Sequence, residues 1–321
     1  MVTNKQNTMN NKKKQGREVK RWWNYSRNLR WDKYYDDSSP DRFHVIHRQK
    51  TTLKLLDSLG LPKGAKILEL GYGGGQTAKK LLDRGYEVHG IDISDQLCEV
   101  AKKRCKEYVD KNMAFFSVGS IEEKYDYDNQ FFDAVIVCGA LQYLHNIDDC
   151  LKEVFRTLKP NCHFIVAQRN MYAIKDLIGP RRLILSLICA FTGQKTELFA
   201  SFRSMFLDND SFGHSLKKYE NFFLKYKFLT KGDETHDFNF KKKLISFWRM
   251  KKNLADNNFL IVRSSGSTFF FPPKNKLGGL LVSLLDKLLQ FTSDHILKFI
   301  FVFADNIVID SKKQANKTIH D

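Results

Sequence analysis

The sequence predicts an α/β fold built on a doubly wound, mostly parallel sheet, and three observations in residues 61–94 carry that prediction. The first is Lys66-Ile-Leu-Glu-Leu70, bounded by Pro62, Gly64 and Gly71, which has the length and composition of a strand buried on both faces. The second is the run from Thr77 to Arg84, with Ala78, Leu81 and Leu82 at helical spacing and Gly85 after its end. The third is another apolar run, Glu87 to Ile93, which completes a strand-helix-strand unit. Between the first strand and the helix stands Gly71-Tyr-Gly-Gly-Gly75, a turn whose backbone N–H groups are open to a ligand without a Cβ in the way. Asp92 ends the second strand, 21 residues after Gly71, where a carboxylate accepts hydrogen bonds from ribose hydroxyls. Together these residues point to a nucleoside-containing ligand.

The glycine spacing separates two ligand classes. A dinucleotide fingerprint needs glycine at position 76, where the chain has Gln76. What stands instead is Glu69-x-Gly71-x-Gly73-x-Gly75, which resembles motif I of the class I S-adenosylmethionine-dependent methyltransferases. The resemblance runs over roughly residues 40 to 170 in the order of that family. It implies a seven-stranded Rossmann-like sheet of order 3-2-1-4-5-7-6 with strand seven antiparallel, S-adenosylmethionine as cofactor, and in-line methyl transfer. It also implies cofactor contacts from Glu69, Gly71, Gly73, Gly75, Asp92 and Ile93. Ser120 and Ile121 stand where the family often has a Gly-Asp pair for the adenine amino group, so adenine falls to backbone groups, the Ser120 hydroxyl and the flank of Ile121. Phe132 to Cys138 resembles the fourth strand, with Cys138 at its cofactor end. Leu141-Gln-Tyr-Leu-His145 resembles the Leu-Glu-His-Leu loop of many small-molecule members, with Gln142 and Tyr143 replacing Glu and His. Leu151 to Pro160 looks like the helix ending in Arg-x-Leu-Lys-Pro, and Asn161-Cys162 replaces the usual Gly-Gly before strand five. Asn258 to Arg263 resembles the family's Gly-Phe strand with Asn258 in place of Gly, and Ile300 to Asp310 reads as the last strand.

The remaining segments arrange themselves around this core. Residues 1–20 read as a disordered basic tail and 21–60 as an aromatic segment with a cap helix, Phe43 to Leu59. Residues 61–170 form the expected cofactor-binding core, 171–243 a helical lid or substrate insertion after strand five, 244–312 the completion of the sheet, and 313–321 a tail. In the aromatic segment Tyr34 and Tyr35, and in the cap helix Arg48, are candidates for cofactor or substrate contact by resemblance. Loops after the C-terminal ends of parallel strands line the ligand crevice, so the insertion should determine the acceptor. Its Phe199, Phe202 and Phe206 recur at helical spacing and, with Arg169 at its start, suit a bulky apolar or lipid-like acceptor. His145 is the nearest general base in sequence, and Tyr143 is placed to orient the acceptor. Leu244 to Asn257 reads as a helix, and Leu277 to Phe291 as another, with Leu281, Leu284, Leu285 and Leu288 on one face that suits docking on a membrane or, more ordinarily, covering the sheet.

Composition bounds the alternatives. With 42% hydrophobic residues and 26 Phe, the 321-residue chain has ample core material. Six cysteines form no C-x-x-C pair and no zinc spacing with histidine, so they read as reduced core residues and no metal is expected. The N-terminus carries no apolar signal region and the longest apolar runs are too short to span a bilayer, so a cytoplasmic location is expected. The net charge is +17, and nine Lys or Arg face one Glu in the first thirty residues. Such charge suits a solvated surface, a peripheral contact with an anionic membrane, or nucleic acid. A nucleic-acid methyltransferase is opposed by the missing Asn/Asp-Pro-Pro-Tyr and Pro-Cys motifs after strand four. The departures at Ser120, Gln142 and Tyr143 leave a cofactor-binding homologue without turnover as a further alternative. Oligomeric state is not legible from the chain.

Overall fold

The structure is a computed structural model that describes residues 2–25, 43–170, 245–267, 284, 287–288 and 306–314. All of them belong to one of the two units into which the chain divides; the other unit, Ile174–Asp237, lies outside the described residues. In chain order the elements are α1 (Val2–Asn24), α2 (Phe43–Asp57), β1 (Lys66–Leu70), α3 (Gln76–Leu82), β2 (Glu87–Asp92), α4 (Asp95–Arg104) and α5 (Lys106–Val109). There follow β3 (Ala114–Val118), β4 (Phe132–Cys138), a 3-10 turn (Leu141–Tyr143), α6 (Ile147–Thr157), β5 (Leu158–Arg169), α7 (Phe247–Asp256), β6 (Phe259–Ser267) and β7 (Asn306–Lys313).

The seven strands lie in the order β3-β2-β1-β4-β5-β7-β6, with β7 antiparallel to both neighbours and the remaining pairs parallel, as the resemblance implies. Alternate residues of the central strands feed two cores, because side chains on a strand alternate between faces. On one face Ile67, Ala134, Ile136, Ile165 and Val308 meet Leu53 and Leu56 of α2 and Leu81 and Leu82 of α3. On the other, Leu68, Val135, Val166 and Ile309 meet Leu151 and Val154 of α6 and Met250 and Leu254 of α7. Leu56 is fully buried, and its truncation to alanine should cost about 2–5 kcal/mol.

Two asparagines replace glycines of the family pattern without changing the backbone. Asn161 (φ 60°) and Asn258 (φ 61°) both adopt the left-handed conformation, which asparagine tolerates better than other residues with a Cβ. The segment Leu151–Pro160 is not helical to its end: α6 stops at Thr157, and β5 begins at Leu158 through a register shift opposite Phe132 and Ala134. Likewise β6 runs on to Ser267, and β7 extends past Asp310 to Lys313, whose ammonium group donates to the carbonyls of Phe155 and Leu158. Position 313 is therefore strand and not tail.

The largest correction concerns residues 1–20, expected to be disordered. Residues 2–20 lie in α1, which has an inner face: Val19 is buried, Lys12 pairs with Asp149, and Gln15 donates to the Tyr143 carbonyl. Lysine and glutamine can serve as inner-face residues because their apolar stems lie along the core while their polar ends reach partners at its rim. Leu284 and Leu288, expected on a sheet-covering face, are 56% and 60% exposed and do not cover the sheet. Tyr34, Tyr35, Phe199, Phe202, Phe206 and the whole of 171–243 lie outside the described residues.

Candidate active site

The site is built where β1, β2 and β4 end. Glu69, opposite Gly90 of β2 and Ile136 of β4, is only 2% exposed. Burial pushes its carboxyl up to about 8; Asp92 adds to the rise, while the Thr77 hydroxyl and the Ala78 N–H at the start of α3 oppose it. Its Oε2 is buried with no hydrogen-bond partner. The chain leaves β1 at Gly71 (φ 71°), where a Cβ would stand 2.5 Å from that of Ala140. No other residue fits this crossing between the first turn and the loop after β4.

Asp92 closes β2, buried, and its carboxylate accepts from the Gly73 N–H (2.9 Å) and the Ser94 N–H (3.0 Å). Burial raises its pKa, and these backbone donors oppose the rise. The carboxylate is thereby fixed against the glycine turn with lone pairs to spare. Ser94 in turn caps α4, accepting from the Leu97 N–H. Tyr72, between Gly71 and Gly73, was not singled out from the sequence. Its ring covers Gly90, where a Cβ would come within 2.4 Å of it, and its hydroxyl donates to the Ser117 carbonyl at 3.1 Å. The signal that could have found it is Gly90 itself, a glycine in mid-strand that marks a close approach.

Arg48 of α2 lies against Gly139, the residue after β4, where a Cβ would meet the guanidinium at 2.7 Å. It is 5% exposed, donates to Asn306 Oδ1 at a long 3.3 Å, and leaves Nε unpartnered. Tyr143 stands nearby: burial drives its phenol above the usual range, and the charges of Arg48 and Arg169 oppose that shift. Arg169 pairs in register with Asn306, so β4, β5 and β7 bring Arg48, Arg169 and Asn306 to one end of the sheet. The Cys138 thiol turns away toward the Thr52 hydroxyl (3.6 Å) and is pushed up to about 11, chiefly by burial. The Ser120 hydroxyl accepts from the Glu122 N–H, and Ile121 is buried in the core. Ile93 is half-buried, its N–H bonded to Asp92; His145 is half-buried on the loop before α6.

Helix α1 roofs this end of the sheet. Trp22 and Trp23 pack on Tyr143 with ring centroids 5.9 and 5.5 Å away. Lys12 reaches the Glu122 carbonyl and Asp149, Asn24 accepts from the Ser94 hydroxyl, and Lys20 pairs with Asp95. These partners follow β2, β3 and β4, the C-terminal edge where crevices of doubly wound sheets lie.

The glycine turn, the two carboxylates beside it and the 3-2-1-4-5-7-6 sheet define a class I methyltransferase domain of the S-adenosylmethionine-dependent type. Residues 68–166 match the family described as "Methyltransferase domain". YqeM of Bacillus subtilis (strain 168), a protein named as a methyltransferase, is 34% identical over 120 residues, 36% of this chain and 47% of its own. A ubiquinone biosynthesis O-methyltransferase of Alkalilimnicola ehrlichii (strain ATCC BAA-1101 / DSM 17681 / MLHE-1) is 33% identical over 112 residues, 35% of this chain and 44% of its own. The aligned segments thus span less than half of either relative. Magnesium protoporphyrin IX methyltransferase from Synechocystis PCC 6803 shares the fold at a TM-score of 0.55 and 14% identity, over 94% of this chain and 100% of its own.

Proposed function

We propose that the protein transfers the methyl group of S-adenosylmethionine to an oxygen, nitrogen or carbon of a small apolar or lipid-like acceptor, as a peripheral, cytoplasmic enzyme. The observation that carries the reading is the pair of buried carboxylates, Glu69 and Asp92, flanking the glycine turn. Unpartnered buried polar atoms cost about 1–3 kcal/mol each, so they mark places that a ligand completes. Of the eight such side-chain atoms among the described residues, three belong to residues beside the glycine turn or the Gly139 loop: Glu69 Oε2, Gln76 Nε2 and Arg48 Nε, an acceptor for a cation and two donors for an anion. That donor set fits a zwitterionic amino-acid group carrying a nucleoside. Asp92 would hold the ribose, Glu69 the cationic end, Arg48 the carboxylate, and Ser120 and Ile121 the adenine; Gly71, Gly73 and Gly75 leave the backbone open to it.

When bound, S-adenosylmethionine supplies a sulfonium methyl group as the electrophile, so the protein's work is orientation and exclusion of water. Tyr143, whose phenol stays protonated, donates a hydrogen bond to the acceptor and orients it. His145 takes the proton from a hydroxyl acceptor. Trp22 and Trp23 close the roof over Tyr143 and keep water out. An apolar acceptor is supported by the quinone chemistry in the name of the Alkalilimnicola relative and by the Phe-rich sequence of 171–243, with Phe199, Phe202, Phe206 and Arg169 as its contacts. The test is calorimetry with S-adenosylmethionine and S-adenosylhomocysteine, followed by methyl transfer to a panel of hydroxylated quinone precursors. Absence of cofactor binding would overturn the reading.

A further inference from the structure

Helix α1 has two faces of opposite use. Residues 12, 15, 19, 22 and 23 turn inward, by the ion pair, hydrogen bond, burial and ring contacts described above. Lys13, Lys14, Arg17 and Arg21 are all exposed and fall at spacings of three and four, which places them on one outward stripe. The one acid of α1, Glu18, lies beside the inner face, 17% exposed and paired with Arg21. Beneath the helix the rim of the crevice is acidic: Asp95 opens α4, and Asp148 and Asp149 open α6. Lys12 pairs with Asp149 from the inner face, and Lys20 pairs with Asp95 at the exposed flank of the helix. An acidic rim alone would be repelled by an anionic surface; with α1 in place the same end of the molecule presents a basic stripe.

We propose that the outward stripe of α1 is a docking surface for an anionic lipid bilayer, and that docking sets the crevice mouth at the membrane surface where an apolar acceptor partitions. The second half of this statement rests on the methyltransferase reading above; the first does not. Trp22 and Trp23 are turned in against Tyr143 and offer neither an apolar wedge for the bilayer nor a stacking platform for nucleic-acid bases. Attachment is therefore electrostatic, shallow and salt-labile. Each Lys or Arg near an anionic surface contributes about a fivefold gain in partitioning, and the attraction fades within a Debye length.

The test is co-sedimentation of the full chain with vesicles of phosphatidylcholine alone and of phosphatidylcholine with phosphatidylglycerol. Binding is expected to the mixed vesicles only and to vanish in high salt. The triple variant Lys13→Gln/Lys14→Gln/Arg17→Gln should bind about a hundredfold more weakly, with helix content and S-adenosylmethionine affinity unchanged, since none of the three faces the crevice. Equal retention by neutral vesicles, undiminished binding of the triple variant, or binding to a short oligonucleotide in place of vesicles would overturn the proposal. Vesicle binding by a protein that fails to bind S-adenosylmethionine would uphold the docking surface while the reading of the site falls.

Discussion

The two sides of the candidate site are built from opposite kinds of group. On the β1-β2 side the buried groups are carboxylates, Glu69 and Asp92, and the donors nearest them are backbone N–H groups of the glycine turn and of Ser94. On the β4-β5-β7 side the corresponding groups are the guanidinium groups of Arg48 and Arg169, with the Asn306 amide and the Tyr143 phenol. The first side is made of residues near in sequence, and the second joins positions 48, 139, 143, 169 and 306. One side therefore suits a ribose and a cation, and the other an anion and the approach of the acceptor. The sheet thus keeps the acidic and the basic groups of the candidate site on separate sides.

Four experiments break or sharpen that contrast, beginning with the largest effect. Asp92→Ala removes the carboxylate proposed to hold the ribose, at a cost of roughly 1.5–3 kcal/mol. Calorimetry should record S-adenosylmethionine affinity weaker by about tenfold or more; unchanged affinity would remove the nucleoside from that side. Arg48→Met tests the other side. It should weaken cofactor affinity by about tenfold while the melting temperature holds or rises, because a buried charge with one long hydrogen bond gives way to an apolar chain of similar length. A large fall in stability would instead make Arg48 a structural residue.

Glu69→Gln gives a pH signature. The carboxyl of Glu69 sits at about 8 in the folded chain against an ordinary 4.5, so ionisation is harder folded than unfolded. Its presence costs nothing below the ordinary value, and native stability is lost as pH rises from there toward 8. The glutamine variant should therefore gain on the native chain between pH 5 and pH 8 in thermal melts, with the gap level above that. In the native chain, cofactor affinity should climb over the same range, since a cation selects the ionised form, and the variant should lack that climb. A flat profile in both proteins would sink the assignment of Glu69 to the cationic end. The smallest effect is expected at the roof. Lys12→Ala breaks a half-exposed pair with Asp149 and should cost no more than about 1 kcal/mol in urea unfolding.

Much of the carboxylate side was legible because its parts are consecutive. The strand from Lys66, the glycines, the helix after them and the acid at 92 form one local unit, and each element follows from residue type and spacing. The two asparagines were legible only as departures. Asn161 and Asn258 looked like losses of glycine, and the backbone shows them at positive φ, where asparagine serves the same turn. Tyr72 escaped notice because an aromatic in a glycine loop carries no period; its role depends on Gly90, eighteen positions away. The roof escaped for another reason. A lysine-rich helix with a narrow apolar stripe has almost the composition of a solvated tail, and what separates them is Asp149, Ser94 and Tyr143 on the other partner.

The sequence by itself determined the local unit: which runs become strands, where the chain must turn without a Cβ, and which carboxylates stand at strand ends. Those outcomes rest on backbone sterics and side-chain alternation, which act over a few residues. Tertiary structure alone decided that Arg48 lies against Gly139 beside Asn306, that Cys138 turns its thiol to Thr52, and that α1 packs over the ends of the strands through Lys12, Gln15 and Asn24. Such contacts join segments up to 258 positions apart, and their energy comes from burial and charge pairing that exist only once the sheet has brought both partners together.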